Sequence, residues 1–340
     1  MQAHPAAHWE KFDKLPKGVR CRLCPHNCPI PEGKVGLCGV RVNIEGELKT
    51  LIYGVITAAH VDPIEKKPLY HFYPGSDIFS IGTAGCSFRC QFCQNWEISQ
   101  LPWEFGLGAI QTMSKTMSPR EVATLAITGT SIGVAYTYSE PMIWFEFLMG
   151  TAPLVKEMGG KNVFVTNGFI NKAPLKELLN FADAFNVDLK SINEDFYKKI
   201  RGDLKPVLDN LIEIKKKAHL EITNLIIPGE NDGEEEIEKL AIWIAKNLGK
   251  DTPLHISRYY PAYKYTKPPT PLTTLNKAYE IAKTHLDFVY LGNVIDIEKS
   301  STYCPKCGSL LIKREGYFTE VVNLEGNRCK VCGAEVNVVQ

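Results

Sequence analysis

Cys86, Cys90 and Cys93 stand in the run Gly85-Cys86-Ser87-Phe88-Arg89-Cys90-Gln91-Phe92-Cys93-Gln94-Asn95, spaced C-x3-C-x2-C. Thiolates are soft ligands that suit iron–sulfur clusters. A structural zinc site closes with four protein ligands, whereas a catalytic metal keeps one position open. Three thiolates on a [4Fe–4S] cubane leave one iron free to bind a small molecule, so the loop reads as a catalytic cluster site. The rival reading is a zinc knuckle completed by a distant fourth ligand such as a histidine.

All eleven cysteines of the 340-residue chain fall into three groups. Cys21, Cys24 and Cys28 are joined by Cys38, a four-thiolate set that suits zinc or a second iron–sulfur cluster. Cys304, Cys307, Cys329 and Cys332 form two C-x2-C-Gly knuckles about twenty residues apart, the spacing of a zinc ribbon. A ribbon of this kind is expected to be structural and separable from the chemistry. Disulfides fit poorly, because the count is odd and Met1–Glu10 carries neither a basic start nor an apolar run of secretory type.

The remaining composition excludes more than it suggests. Apolar residues make up 44%, charged residues 23%, and the formal net charge is +1, as in an ordinary globular protein. No basic stretch with interleaved aromatics marks a nucleic-acid surface. No apolar run approaches the roughly 18 residues of a membrane span. A cytoplasmic protein without membrane contact is the expectation.

The elements that must position the thiols are legible as alternating apolar runs and amphipathic stretches. Strands are expected at 78–82, 134–138, 162–166, 184–189, 221–227, 254–259 and 288–291. Helices are expected at 121–127, 142–158, 175–181, 194–200, 207–217, 234–248 and 275–284. Most of the strands are apolar enough to be buried on both faces, as in a parallel sheet covered by helices. The expected fold is therefore α/β, a partial or full (β/α) barrel with small metal-stabilised modules at each end; a flat doubly wound sheet is the alternative. Residues 1–72 form the N-terminal four-cysteine module, 73–296 the core and 297–340 the C-terminal module. Polar and glycine punctuation recurs just after the strands, at Gly85-Cys86, Ser139-Glu140-Pro141, Thr166-Asn167-Gly168, Lys190 and Pro228-Gly229. In α/β folds that edge carries the active site.

With these residues in place, the sequence resembles radical S-adenosylmethionine (SAM) enzymes of the pyruvate formate-lyase activating enzyme branch. It is most similar there to the radical SAM proteins of the AmmeMemoRadiSam system. The likeness runs through Cys21-Arg22-Leu23-Cys24-Pro25, the stretches Pro31–Arg41 and Asp62–Phe72, the cluster loop with Trp96-Glu97, and Cys304-Pro305-Lys306-Cys307-Gly308. It implies a radical SAM barrel of TIM type and an oxidoreductase-like enzyme that reductively cleaves SAM to a 5′-deoxyadenosyl radical. It implies that Phe92 packs on the adenine, that Ser139 and Glu140 meet the methionyl amine, and that Thr166, Asn167, Asp188, Lys190 and Ile227 complete the SAM site. Tyr260 aligns where the activating enzyme has a histidine. Ser139 replaces a family glycine, and Val165 stands where the activating enzyme has an aspartate. The implied partners are an electron donor such as ferredoxin or flavodoxin and a Memo-like or AmmeCR-type protein.

Bland readings stand beside these roles. Glu140 could cap the helix that Pro141 begins, Lys190 could be a surface lysine, and Asn167-Gly168 a turn. At the level of function, glycyl-radical activase, electron carrier and zinc-stabilised binding module are the alternatives to an enzyme acting on its own protein or small-molecule substrate. A stable electron carrier would use four ligands at the central loop, not three.

Overall fold

The structure, a computed structural model, describes residues 3–340; the first two positions of the expected N-terminal module lie outside them. Its centre is an eight-stranded sheet. In chain order the strands are β1 (Ala58–Pro63), β2 (Asp77–Gly82), β3 (Ser131–Tyr136), β4 (Lys161–Thr166), β5 (Ala184–Asp188), β6 (His219–Ile226), β7 (Leu254–Arg258) and β8 (Val289–Gly292). Each lies beside its predecessor, with β2–β8 parallel and β1 antiparallel to β2. A doubly wound sheet reverses its strand order part-way. No reversal occurs here, so the sheet winds one way as a partial barrel, open between β1 and β8.

The strands form where side chains can be buried on both faces. Tyr136, Phe164 and Phe185 occupy paired positions on β3, β4 and β5, and their rings stack at 4.9 and 5.1 Å. Burying each such side chain is worth roughly 2–3 kcal/mol. Between the strands run helices with one apolar stripe. In Leu204–Lys215 the buried residues include Leu204, Val207, Leu211 and Ile214, the three-and-four spacing of a single face. Helix Pro119–Ala126 starts on a capping box, Ser118 and Glu121 each satisfying the other's backbone N–H. No helix among the described residues is long and apolar enough to cross a membrane.

Two observations bear on the expected module boundaries. Strand β1 belongs to the central sheet although it lies within 1–72, because its pairing partner β2 sets its place and not its distance from the cysteines. The C-terminal segment packs closely on the core. Arg314, fully buried, donates to the carbonyl of Tyr70 (2.5 Å), and Val339 exchanges backbone hydrogen bonds with the 71–73 segment. Phe288, just before β8, and Tyr290 on it share a core with Cys304, Leu311 and Leu324. The N-terminal stretch builds two small three-stranded sheets and is fastened through a buried ion pair, Arg41–Glu146 at 2.8 Å.

Candidate active site

The loop after β2 carries the three thiols. Gly85, at φ +92°, makes the turn into it, and a side chain there would meet the Cys38 carbonyl oxygen at 2.8 Å. The loop is held from both sides: Arg89 donates to Gln100 Oε1 and to the Leu37 carbonyl, both at 2.7 Å, and His26 Nε2 lies 2.8 Å from the Ser87 carbonyl. The N-terminal module thus packs directly on the cluster loop. Gly202 leaves room for the Phe88 ring, whose Cε1 stands 2.4 Å from where a Cβ would sit.

Cys86, Cys90 and Cys93 open on one cavity of about 410 Å³ at the C-terminal edge of the sheet. No histidine and no fourth cysteine appears among the described residues lining it; the acidic groups there are Glu140 and Asp188. Burial pushes the Cys90 thiol up to about 12 and the Cys86 thiol well above its ordinary range. A metal centre that takes thiolates must displace those protons on binding.

Strand ends supply the other walls. Phe92, Ser139, Glu140, Thr166, Asn167, Asp188 and Lys190 all line the same cavity. Glu140 Oε1 accepts from Thr166 Oγ1 (2.6 Å) and the Met142 N–H (3.0 Å), and Oε2 from the Asn167 N–H (2.8 Å). It therefore does cap the turn at Pro141–Trp144, and it also faces the cavity. Burial outweighs those three bonds and pushes its carboxyl up to about 7. The Ser139 hydroxyl is buried without a hydrogen-bond partner. An orphan beside a cavity is free to bond a polar ligand or a water. Lys190 is not a surface lysine: its Nζ donates to Asp188 at 2.8 Å, and burial, which opposes its charge, is offset by Asp188 together with the Cys90 and Cys93 thiols. Asn167 Nδ2 donates to Ser87 Oγ at 3.0 Å, tying the β4 end to the cluster loop.

Two expected residues fall elsewhere. β6 ends at Ile226; the chain then turns, with the Ile227 N–H donating to Asn231 Oδ1 at 2.7 Å and its side chain packed in the main core. Thr223 and Leu225 face the cavity from that strand instead. Tyr260 is exposed and bonded to the Asn293 carbonyl, while Ser257 is the lining residue of β7. Sequence reasoning missed Lys66, Lys67, Tyr138 and Tyr317, which also line the cavity.

The radical SAM superfamily model matches residues 80–241, which include all three loop thiols and the strand ends around them. The chain belongs to the radical SAM superfamily. An uncharacterized protein of Methanocaldococcus jannaschii, MJ0808, is 43% identical over 340 residues, covering 98% of this chain and 99% of that protein. The pyruvate formate-lyase-activating enzyme of Clostridium pasteurianum is 27% identical over 166 residues, 48% of this chain and 67% of that enzyme. Streptococcus suis SuiB bound to S-adenosylmethionine superposes with a TM-score of 0.49 at 12% identity, over 68% of this chain and 53% of that one. By the family model and the kinship with the pyruvate formate-lyase-activating enzyme, the chain is a radical SAM enzyme related to activating enzymes, and the superfamily implies SAM and an iron–sulfur cluster.

The C-terminal quartet is a second candidate metal group. The sulfurs of Cys304, Cys307, Cys329 and Cys332 lie within 4.8 Å of one another, with Cys304–Cys332 at 3.6 Å and Cys307–Cys329 at 3.8 Å. In the N-terminal group, the Cys38 and Cys24 thiols are raised chiefly by burial, Cys38 up to about 11. All eleven cysteines are free of disulfides.

Proposed function

We propose that Cys86, Cys90 and Cys93 hold a [4Fe–4S] cluster and that the cavity they open on binds SAM for radical hydrogen abstraction. When bound, such a cluster supplies one electron to the SAM sulfonium, so that the S–C5′ bond breaks to methionine and a 5′-deoxyadenosyl radical that takes hydrogen from the substrate. The protein's share is positioning and exclusion of water. Glu140 and the orphaned Ser139 hydroxyl receive the methionyl ammonium, Asn167, Thr166 and the Asp188–Lys190 pair fix the remaining polar groups, and Phe92 offers its ring to the adenine. The observation that carries the reading is three thiols, with no fourth thiol or imidazole among the described lining residues, on the same cavity as an unpartnered hydroxyl.

The finer assignments rest on motif. The AmmeMemoRadiSam likeness supports an oxidoreductase-like modification of another protein or a small molecule, with a Memo-like or AmmeCR-type partner and a ferredoxin- or flavodoxin-type donor. Kinship with activating enzymes supports the second reading, a glycyl-radical activase. For the C-terminal quartet we propose zinc: four thiolates at about 2.3 Å around a tetrahedral ion stand about 3.8 Å apart, close to the spacings found. The N-terminal quartet would hold zinc or a second cluster, which metal analysis distinguishes.

The test is anaerobic reconstitution followed by dithionite reduction. Wild-type protein should turn SAM into 5′-deoxyadenosine and methionine, and Cys86→Ala, Cys90→Ala and Cys93→Ala should each abolish turnover. Activity surviving in even one variant would sink the assignment.

A further inference from the structure

The floor of the same cavity has a charge that the SAM reading leaves unused. Asp62 pairs across the sheet with Ile78, while Ala58 pairs with Gly82 beside the cluster loop. Four residues of strand separate these levels, about 13 Å at roughly 3.3 Å per residue. At the lower level Asp62 receives Lys66 Nζ at 2.8 Å and Lys67 Nζ at 2.6 Å, and the Tyr138 hydroxyl also bonds to it. Two ammonium groups therefore share one carboxylate, leaving one positive charge over. Lys66 is half-exposed and solvated, but the Lys67 side chain is 1% exposed. The two carboxylates that line the cavity are engaged, Asp188 by Lys190 and Glu140 by its three donors.

A buried ammonium that shares its carboxylate with a second lysine is costly unless something completes it, and the Tyr138 ring, 4.6 Å from Lys67 Nζ, does so only in part. Burial pushes Lys67 down to about 8 even with Asp62 beside it. Tyr138 is held at φ +68°, a left-handed conformation costly for a non-glycine residue, while its hydroxyl reaches Asp62. Tyr317, exposed at the tip of the C-terminal hairpin, comes to the cavity on this side.

We propose that Lys67, with Lys66 and Tyr138, forms the substrate subsite of the cavity and binds the carboxylate or phosphate group of the molecule that gives up its hydrogen. This rests on the radical SAM reading of the site, since it names the substrate class of that reaction. An anion on Lys67 is held at the floor while the rest of the molecule extends toward the thiol end. The two anionic groups share one chemistry, so each is probed by its simplest carrier.

Acetate and inorganic phosphate are titrated into the full-length protein at low ionic strength and followed by calorimetry. At least one should bind, and the tighter of the two identifies the group. Lys67→Met should weaken that binding at least tenfold, and Lys67→Arg should largely restore it. Asp62→Asn, which frees both lysines, should tighten it severalfold, a direction that general loosening of the fold would not produce. If Lys67→Met fails to fold by circular dichroism, Asp62→Asn and Lys66→Met decide the question. Wild-type protein that cleaves SAM but binds neither anion, or an Asp62→Asn variant with unchanged affinity, overturns the subsite alone. Protein that binds an anion through Lys67 yet never cleaves SAM overturns the enzymatic reading instead.

Discussion

Glu140 joins two tasks that a sequence reading sets against each other. Its carboxyl caps the turn after β3 and bonds the end of β4, yet it lines the cavity beside the unpartnered Ser139 hydroxyl. Because burial raises it to about 7, the free protein keeps a proton on Glu140 that an unfolded chain would release near 4.5. The folded state binds that proton more tightly, so this group's contribution to stability falls as pH rises from about 4.5 to 7. Ligand binding runs the other way. An ammonium pairs with the ionised form, so below pH 7 the proton must leave first. SAM affinity should therefore rise by up to tenfold per pH unit from about pH 5 to 7 and then flatten. Glu140→Gln keeps a hydrogen-bond acceptor for Thr166, and should remove that slope while weakening binding by about 1.5–3 kcal/mol, with iron content unchanged. Equilibrium dialysis across the pH range checks it; a wild-type affinity flat from pH 5 to 8 would place the ammonium elsewhere.

At the scale of elements, the seven strands read from apolar runs all appear, because strands buried on both faces leave a continuous signal. β1 was not legible. Half of its residues are exposed and only Asp62 is buried, and antiparallel pairing with β2 supplies what its own pattern lacks. The short helical turns between Trp96 and Thr112 have no periodicity long enough to read. Site legibility follows the same logic. Thiols, Glu140, Asn167 and Lys190 stand at strand ends, where order along the chain gives position. Lys67 sits in a Lys-Lys pair that reads as solvated surface, and it is buried only because Asp62 and Tyr138 converge on it. The link between elements that matters most for the loop is Gly85. Gly85→Ala would force a side chain into a left-handed position and against Cys38 and Val40. It should cost about 2–4 kcal/mol and shift the loop off the N-terminal module. Denaturant titration should show the loss, and reconstituted iron per chain should fall; a variant with wild-type stability and iron content would mean that contact is slack.

Across the whole molecule, the end of the barrel opposite the site is closed by polar groups drawn from three distant segments. Glu221, fully buried on β6, accepts the Tyr70 and His71 N–H groups at 3.0 and 2.7 Å and lies 2.7 Å from His255 Nε2. Burial opposes its charge, but His219 and His255 outweigh it and hold the carboxyl well below its usual range. His71, kept neutral by burial at about 3, reaches the Asn337 carbonyl and the Tyr290 hydroxyl. Arg314 adds the heaviest fastening. It donates to Tyr70 and Thr302, stacks on the Tyr70 ring at 4.2 Å and lies 3.7 Å from Glu65, with both charged side chains fully buried. A chain ending at Ile297 would lose Arg314, Asn337 and Val339 together, leaving Glu65 without its cation and the Tyr70 carbonyl without its donor. We predict that such a chain does not fold stably, whereas a separable ribbon would leave the core intact, and circular dichroism of the truncated chain decides between the two. The narrower test is Arg314→Met, which keeps the volume and removes the charge. Breaking a buried pair at one partner costs about 3–5 kcal/mol, so urea titration should show a loss of that size. Adding Glu65→Gln to that variant removes the stranded carboxylate and should recover part of the loss, a coupling well beyond the roughly 0.5 kcal/mol within which independent sites add. If the two substitutions simply add, the C-terminal module is held by its apolar core with Phe288 and Tyr290, and Arg314 contributes packing alone.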